Sequence, residues 1–142
     1  MSPNNLIQIN IDGGSRGNPG PAAYAFVVTQ NDQATYRESN FLGSATNNIA
    51  EYTGLIKALE FLTGQTPSSV QISMDSLLII QQVKGIYKVK QPHLQQLHLQ
   101  VSDLLETLSK AGFSISINHV YRKHNSAPDS LLNECLDQHG KH

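Results

Sequence analysis

Four carboxylates stand where segments of different character meet along the chain. Asp12 and Asp75 each close an apolar, strand-like run. Glu51 and Asp129 each fall near the start of a segment whose apolar residues recur at helical spacing. Sites in α/β sheets form at the carboxyl ends of strands, so all four acids would converge at one edge if the two strands are neighbours.

Such a convergence would have a definite chemistry. Clustered carboxylates repel one another unless they are protonated or bound to cations. An all-oxygen ligand set suits Mg²⁺ or Mn²⁺ and does not suit zinc. Two such ions roughly 4 Å apart can activate a water and stabilise the leaving oxygen of a phosphodiester. Each acid alone also has an ordinary interpretation as a turn or helix-start residue, so the prediction depends on the four together.

The spacing of apolar residues along the chain predicts the strands and helices that must position these acids. Strands are predicted at 6–11, 22–30 and 34–41, with a turn-rich stretch at 13–21, and their short connections favour an antiparallel meander. Helices are predicted at 48–62, 76–83, 92–112 and 128–139, with further strands at 70–74 and 113–119. The helix before the fourth strand indicates a parallel strand reached by a right-handed crossover.

This order predicts an α/β fold: a mixed five-stranded sheet, three antiparallel strands and then parallel strands, flanked by helices. The length of 142 residues fits one domain, 1–142. A net charge of −1 excludes a strongly cationic protein that coats nucleic acid, and the single Cys135 excludes an intramolecular disulfide and a Cys-rich zinc site. The first five residues show no leader and no apolar run is membrane-spanning, so we expect a cytoplasmic protein with no membrane partner.

The residues around the four acids resemble the motifs of the type 1 ribonuclease H family. The matching segments are 12–22 (DGGSRGNPGPA), 46–52 (TNNIAEY), 74–76 (MDS) and 122–129 (RKHNSAPD). Their order covers essentially the whole chain. The resemblance implies a ribonuclease H-like domain with a central first strand. It also implies a metal-dependent endonuclease that cuts the RNA strand of RNA–DNA hybrids, leaving 5′-phosphate and 3′-hydroxyl ends.

The resemblance further implies a role for each acid. Asp12 would bridge two Mg²⁺ ions, with Mn²⁺ as the alternative. Glu51 and Asp75 would complete the site of the ion on the leaving-group side. Asp129 would hold the ion that carries the attacking water. No organic cofactor is implied, and we expect a monomer whose partner is an RNA–DNA hybrid.

Several substrate contacts also follow from the resemblance. Asn18 and Thr46 correspond to a pocket for a DNA phosphate, a type of contact that fixes register without reading sequence. Asn47 corresponds to a contact in the minor groove, where 2′-hydroxyls mark the RNA strand. Gly13 and Gly14 are expected to let the backbone approach the RNA closely, because no side chain intervenes.

The remaining expected contacts are basic. Lys88 and Lys90 lie in a short loop that faces the DNA strand in the family, and the long basic helix that some members insert there is absent. With no Trp in the chain and a net charge of −1, we expect weak hybrid binding that falls steeply with salt. Before Asp129 the chain lacks the glycine-flanked His of many members. Arg122 and His124 are therefore both candidates for assisting catalysis or product release.

Three other interpretations stay open from the sequence. The chain could be a hybrid-binding module with weak or lost catalysis, although all four acids are present. It could be another nuclease of the same fold, such as a transposase, resolvase or exonuclease, although those lack the long glycine-rich loop. A nucleotide-binding protein is the least favoured, because the glycine spacing at 13–20 fits neither the P-loop nor the Rossmann motif.

Overall fold

The computed structural model describes residues 6–139, so the first five residues, on which the leader prediction depends, lie outside it. The elements are β1 (Leu6–Ser15), β2 (Gly20–Gln30), β3 (Gln33–Ala45), α1 (Asn47–Leu62), β4 (Ser69–Met74), α2 (Leu77–Val83), α3 (Pro92–Lys110), β5 (Ser114–His119), a 3₁₀ turn (Arg122–His124) and α4 (Ser126–His139). The strands form one sheet in the order β3-β2-β1-β4-β5. The predicted mixed five-stranded sheet with a central first strand is confirmed. Within residues 6–139 no helix is long and apolar enough to cross a membrane.

The sheet joins an antiparallel meander to a parallel half. β1 pairs antiparallel with β2, and β2 pairs antiparallel with β3. The tight turn between β2 and β3 holds Asn31 and Asp32 at φ 55° and 62°, in the left-handed region that two-residue hairpin turns require. β4 pairs parallel with both β1 and β5. The central strand β1 therefore carries the boundary between the two halves.

Two hydrophobic clusters cover opposite faces of the sheet. In the larger cluster, alternate residues of β2, such as Tyr24 and Phe26, pack against residues of β1 and β4 and of helices α1, α2 and α3. The smaller one takes the intervening residues of β2 and packs them against α4; its buried members are Ala23, Ala25, Leu132, Cys135 and Leu136. Because successive strand residues point to opposite faces, α4 lies on the other side of the sheet from α1 and α3.

Several predicted element boundaries were wrong, and two of them bear on the acids. β1 does not end at Asp12: it continues to Ser15, because Gly13 and Gly14 pair with Tyr24 and Ala23 of β2 after pairing with β4 has stopped. The stretch predicted as a turn is therefore partly strand at both ends. α4 begins at Ser126 and not at Pro128. A proline in the first turn is accepted there, because the N–H groups of that turn have no partner within the helix.

Helix α1 also differs slightly from its predicted form. It begins at Asn47, and the Thr46 side chain caps it by accepting a hydrogen bond from the Ile49 N–H at 3.2 Å. Glu51 consequently lies in the second turn, not in the first as expected. That position turns its side chain toward β1, where the helix packs against the sheet.

Candidate active site

Three of the four predicted acids come together at one edge of the sheet. Carboxylate oxygens of Asp12, Glu51 and Asp75 all lie within 4.8 Å of one another. Asp12 is 5% exposed and Glu51 is 8% exposed, while Asp75 is half-buried. They come from β1, from α1 and from the residue after β4, so three separate elements must pack correctly to form the group.

The sheet register places Asp12 beside Asp75. Ile11 and Met74 are the last partners in the parallel pairing of β1 with β4. Asp12 and Asp75 are the next residues of these two strands, and they leave the pairing together. The expected neighbourhood of the first and fourth strands is thus confirmed, and it accounts for this pair.

A close approach of α1 to β1 brings in Glu51. A Cβ atom at Gly13 would lie 2.5 Å from the carbonyl carbon and oxygen of Ala50, so only glycine permits this packing. The Gly13 N–H donates to Glu51 Oε1 at 3.0 Å and to Asp12 Oδ1 at 3.0 Å. Gly13 was predicted to allow close approach of RNA, whereas the structure shows a requirement within the protein itself. Gly14 has ordinary room, since a Cβ there would lie 3.4 Å from the Leu132 side chain.

Burial and mutual repulsion make these acids hard to ionise. Burial, followed by repulsion from Asp75 and Asp129, raises the pKa of Asp12 to about 7. Burial, followed by repulsion from Asp12 and Asp75, raises the pKa of Glu51 to about 8. Burial also raises the pKa of Asp75, although the nearby Arg122 opposes the rise. The group therefore takes up either protons or a cation near neutral pH.

Asp129 lies at the margin of this group. It stands in the first turn of α4, and its oxygens are not among those within 4.8 Å of one another. It is nevertheless close enough to Asp12 to raise the pKa of that carboxyl through its charge and a hydrogen bond. Arg122 Nη2 approaches Asp129 Oδ1 at 3.5 Å, and Asn133 Nδ2 donates to the Asp129 carbonyl at 3.0 Å.

The donor chemistry of the group fits a hard divalent cation. All the acidic ligand atoms are carboxylate oxygens, which Mg²⁺ and Mn²⁺ prefer. They line a cleft of about 540 Å³ that Asp12, Glu51, Asp75 and Asp129 share with Gly13, Gly14, Asn47 and Arg122. The cleft opens to solvent beside a basic side chain, so an anionic ligand could reach the acids once a cation had neutralised them.

Asn18, predicted for the phosphate pocket, is bonded beside this cleft to Asn47, predicted for the minor groove. The side-chain carbonyl of Asn18 accepts the N–H of Asn47 at 3.0 Å. The side-chain carbonyl of Asn47 accepts the N–H of Ser15 at 2.8 Å. Together with the cap at Thr46, these contacts join the glycine-rich loop to the start of α1. Each asparagine keeps its amide nitrogen as the group that can donate to a ligand.

The two predicted lysine contacts lie elsewhere. Lys88 and Lys90 are exposed on the loop between α2 and α3, and neither lines the cleft of the acids. Arg122, by contrast, does line it. His124 is exposed in the same 3₁₀ turn.

Two polar residues that hold α4 had no role predicted from the sequence. Asn125 is 1% exposed and donates from Nδ2 to the Ile11 carbonyl at 2.9 Å. Arg16 of the glycine-rich loop pairs with Asp137 of α4 at 2.7 Å. Asn125 lies within the fourth motif segment, which was the available signal. Nothing in the local sequence indicates the pairing of Arg16 with Asp137.

Comparison with protein families agrees with this arrangement. A family model described as reverse-transcriptase-like matches residues 10–135. A bifunctional protein of Mycobacterium tuberculosis is 38% identical over 133 residues, which cover 92% of this chain and 35% of that protein. Ribonuclease HI of Halobacterium salinarum is 39% identical over 133 residues, which cover 92% of this chain and 64% of that protein. The chain thus spans 35% of the length of the first curated relatives it matches.

Solved structures are similar along nearly the whole chain. LC11-RNase H1, crystallised in complex with an RNA/DNA hybrid, superposes with a TM-score of 0.87 at 35% identity. The superposition covers 95% of this chain and 99% of that one. The similarity therefore extends over nearly all of the described fold.

Proposed function

The chain belongs to the type 1 ribonuclease H family, and on that basis we propose that it is an endonuclease that hydrolyses the RNA strand of RNA–DNA hybrids. The products would carry 5′-phosphate and 3′-hydroxyl ends. The observation that carries the proposal is the group of three carboxylates within 4.8 Å at the edge of the sheet. Such a group destabilises the folded protein unless a cation neutralises it, and acids with strongly raised pKa values cluster at functional sites.

The proposed cofactor is a pair of Mg²⁺ ions, with Mn²⁺ as the alternative. Asp12, Glu51, Asp75 and Asp129 would hold them, with Asp12 shared between the two. When bound, such ions activate a water and stabilise the leaving oxygen of a phosphodiester. The all-carboxylate donor set and the raised pKa values of Asp12 and Glu51 support this assignment.

The protein's own groups orient these ligands and the substrate. The Gly13 N–H bonds both Asp12 and Glu51, which holds the two carboxylates in fixed positions relative to β1. The guanidinium of Arg122, 3.5 Å from Asp129, can move onto a phosphate that enters the cleft. These groups act by binding and orientation, and the geometry of the cleft supports both roles.

Substrate binding is assigned to the loop and helix start beside the cleft. Asn18 and Thr46 would bind a DNA phosphate, and Asn47 would contact the minor groove of the hybrid. The backbone at Gly14 would lie next to the RNA. The interlocked hydrogen bonds of Asn18 and Asn47 support these roles, because they fix the side chains before the substrate arrives.

The exposed basic loop would contribute electrostatic attraction at a distance from the cleft. Lys88 and Lys90 would contact the DNA strand, which is base-paired with the RNA strand in the hybrid. We further propose that the chain acts as a single monomeric domain in the cytoplasm. The complex of LC11-RNase H1 with an RNA/DNA hybrid supports the choice of partner.

The test is cleavage of an end-labelled RNA–DNA hybrid with Mg²⁺ or Mn²⁺. Single-stranded RNA, double-stranded RNA and an Asp12→Asn variant serve as controls. We expect cutting of the hybrid alone, which disappears in chelator and in Asp12→Asn. Hybrid binding by a folded protein that cuts nothing with either metal would overturn the enzyme and favour a binding module.

A further inference from the structure

One buried side chain ties the start of α4 to the central strand. Asn125 is 1% exposed, and both ends of its amide are engaged. Its Nδ2 donates to the Ile11 carbonyl at 2.9 Å, and its Oδ1 accepts from Asn10 Nδ2 at 3.0 Å. Both partners belong to β1, at residues immediately before Asp12.

The same residue is also bonded to the helix that carries the fourth acid. The Asn125 carbonyl accepts the N–H of Asp129 at 3.3 Å, and its own N–H donates to the Arg122 carbonyl at 3.0 Å. Asn125 therefore lies one peptide from Asp12 through the Ile11 carbonyl. It is also hydrogen-bonded directly to Asp129 of α4 and to Arg122 of the preceding turn, the two residues that approach the acids from this side.

The surrounding segment supplies little other anchorage. The 3₁₀ turn at Arg122–His124 is exposed, and so are Ser126 and Ala127 on the other side of Asn125. Pro128 is buried but has no N–H to donate. The position of this junction relative to β1 consequently depends on the amide of Asn125.

We propose that Asn125 is a positioning residue that holds Asp129 and Arg122 in register with Asp12. The inference rests on the proposed function, since it assigns Asp129 to the cation site. A side chain without the amide leaves the Ile11 carbonyl and the Asn10 amide without their buried partner. The junction then shifts to regain those bonds elsewhere, and Asp129 shifts with it.

The test compares two variants that each lose a buried amide. Asn125→Ala removes the proposed tie. Gln82→Ala is the matched control: Gln82 lies on α2 and is 7% exposed, and its side chain accepts a hydrogen bond from Tyr52 Oη of α1 at 2.7 Å. Both variants are expected to lower the melting temperature, because each leaves a buried polar partner unpaired.

Only Asn125→Ala is expected to alter the cation site. Binding of Mn²⁺ alone, measured by electron paramagnetic resonance, should weaken about tenfold, the lower end of the effect seen when a partner of a metal ligand is removed. The Mg²⁺ concentration that half-saturates cleavage should rise by a similar factor. Gln82→Ala should change neither quantity.

A second cycle tests whether Asn125 acts through Asp129. Once Asp129→Asn has been introduced, adding Asn125→Ala should weaken Mn²⁺ binding no further. Equal Mn²⁺ affinity in Asn125→Ala and the parent, or full additivity with Asp129→Asn, would overturn the proposal. If Asn125→Ala does not fold, Asn10→Ala replaces it: that variant keeps the bond to Ile11, and a smaller weakening in the same direction is expected.

The Mn²⁺ measurement separates the two proposals. A parent protein that binds Mn²⁺ but cuts no hybrid would contradict the proposed function, while the comparison of variants would still decide the role of Asn125.

Discussion

Replacing Asp12 with Asn should abolish cleavage and yet stabilise the metal-free protein. The pKa of Asp12 rises from 3.8 to about 7 on folding, mainly through burial and then through repulsion from Asp75 and Asp129. The folded state therefore holds the Asp12 proton more tightly than the unfolded state does. The stability that this proton contributes is fully present below about pH 4 and is lost as the pH rises through about 7.

The size of the effect follows from that difference. About three pH units at 1.36 kcal/mol each give an upper bound of about 4 kcal/mol at pH 8. Asn keeps the shape of Asp and can still accept the Gly13 N–H, but it has no charge to lose. We expect the metal-free variant to gain about 2 to 4 kcal/mol at pH 8. For 142 residues this raises the melting temperature by about 6 to 12 °C.

The assay is urea unfolding in chelator at pH 8 and at pH 4.5, for the parent and for Asp12→Asn. The gain should be large at pH 8 and small at pH 4.5, where Asp12 of the folded protein is still mostly protonated and carries little charge. Asp137→Asn is the matched control, because Asp137 is an exposed aspartate paired with Arg16, and it should change stability by less than about 1 kcal/mol. Adding Mg²⁺ at pH 8 should raise the melting temperature of the parent more than that of Asp12→Asn.

Two outcomes would refute the reasoning. A metal-free Asp12→Asn protein that is less stable than the parent at pH 8 would show that repulsion among the acids is not a net burden. A gain of equal size at both pH values would show that it does not come from the charge of Asp12.

Three other changes have defined outcomes. Gly13→Ala should lower the free energy of unfolding by about 3 kcal/mol or more, because its Cβ would clash with the backbone of α1. Gly14→Ala should lower it by less than about 1 kcal/mol. Chemical denaturation measures both variants, and equal effects would contradict the close packing at Gly13. Replacing Lys88 and Lys90 with Gln should make hybrid binding less sensitive to salt. The slope of the logarithm of the binding constant against the logarithm of the salt concentration should fall by about 0.9 for each lysine that contacts a phosphate. Titration of the hybrid with a catalytically inactive variant measures this slope, and an unchanged slope would show that neither lysine lies in the interface. Tyr52→Phe should destabilise the protein by about 1 to 2 kcal/mol in thermal unfolding, since it leaves a buried amide oxygen on α2 without its donor, and a neutral result would indicate that the bond contributes nothing.

The sheet and the three central acids were predictable because their signals are local. Alternation at Ile7, Ile9 and Ile11 marks a strand with one buried face, and these residues are buried in the core. Asp12 and Asp75 come directly after Ile11 and Met74, the last partners in the parallel pairing of two such strands. The two carboxylates lie side by side only if those strands are neighbours, and the helix between the third and fourth strands favoured that arrangement.

Features that depend on contacts between distant residues were missed. The strand continues beyond Asp12 because β2 pairs with the glycines, and glycine-rich sequence alone indicates a turn. The reason for Gly13 is the backbone of α1, which no pattern near residue 13 reveals. Asn125 bonds to a residue 114 positions earlier in the chain, and a lone asparagine before a helix looks like an ordinary cap.

The two hydrophobic clusters on opposite faces of the sheet hold different acids in place. Asp12 and Glu51 stand on elements packed into the larger cluster, and Asp75 directly follows another, so we expect these three to part only when the domain unfolds as a whole. Asp129 stands on α4, which packs through the smaller cluster on the other face. Amide hydrogen exchange should therefore find α4 opening at lower free energy than β1 or α1, and warming would disable the site through a partly open state before the sheet itself melts.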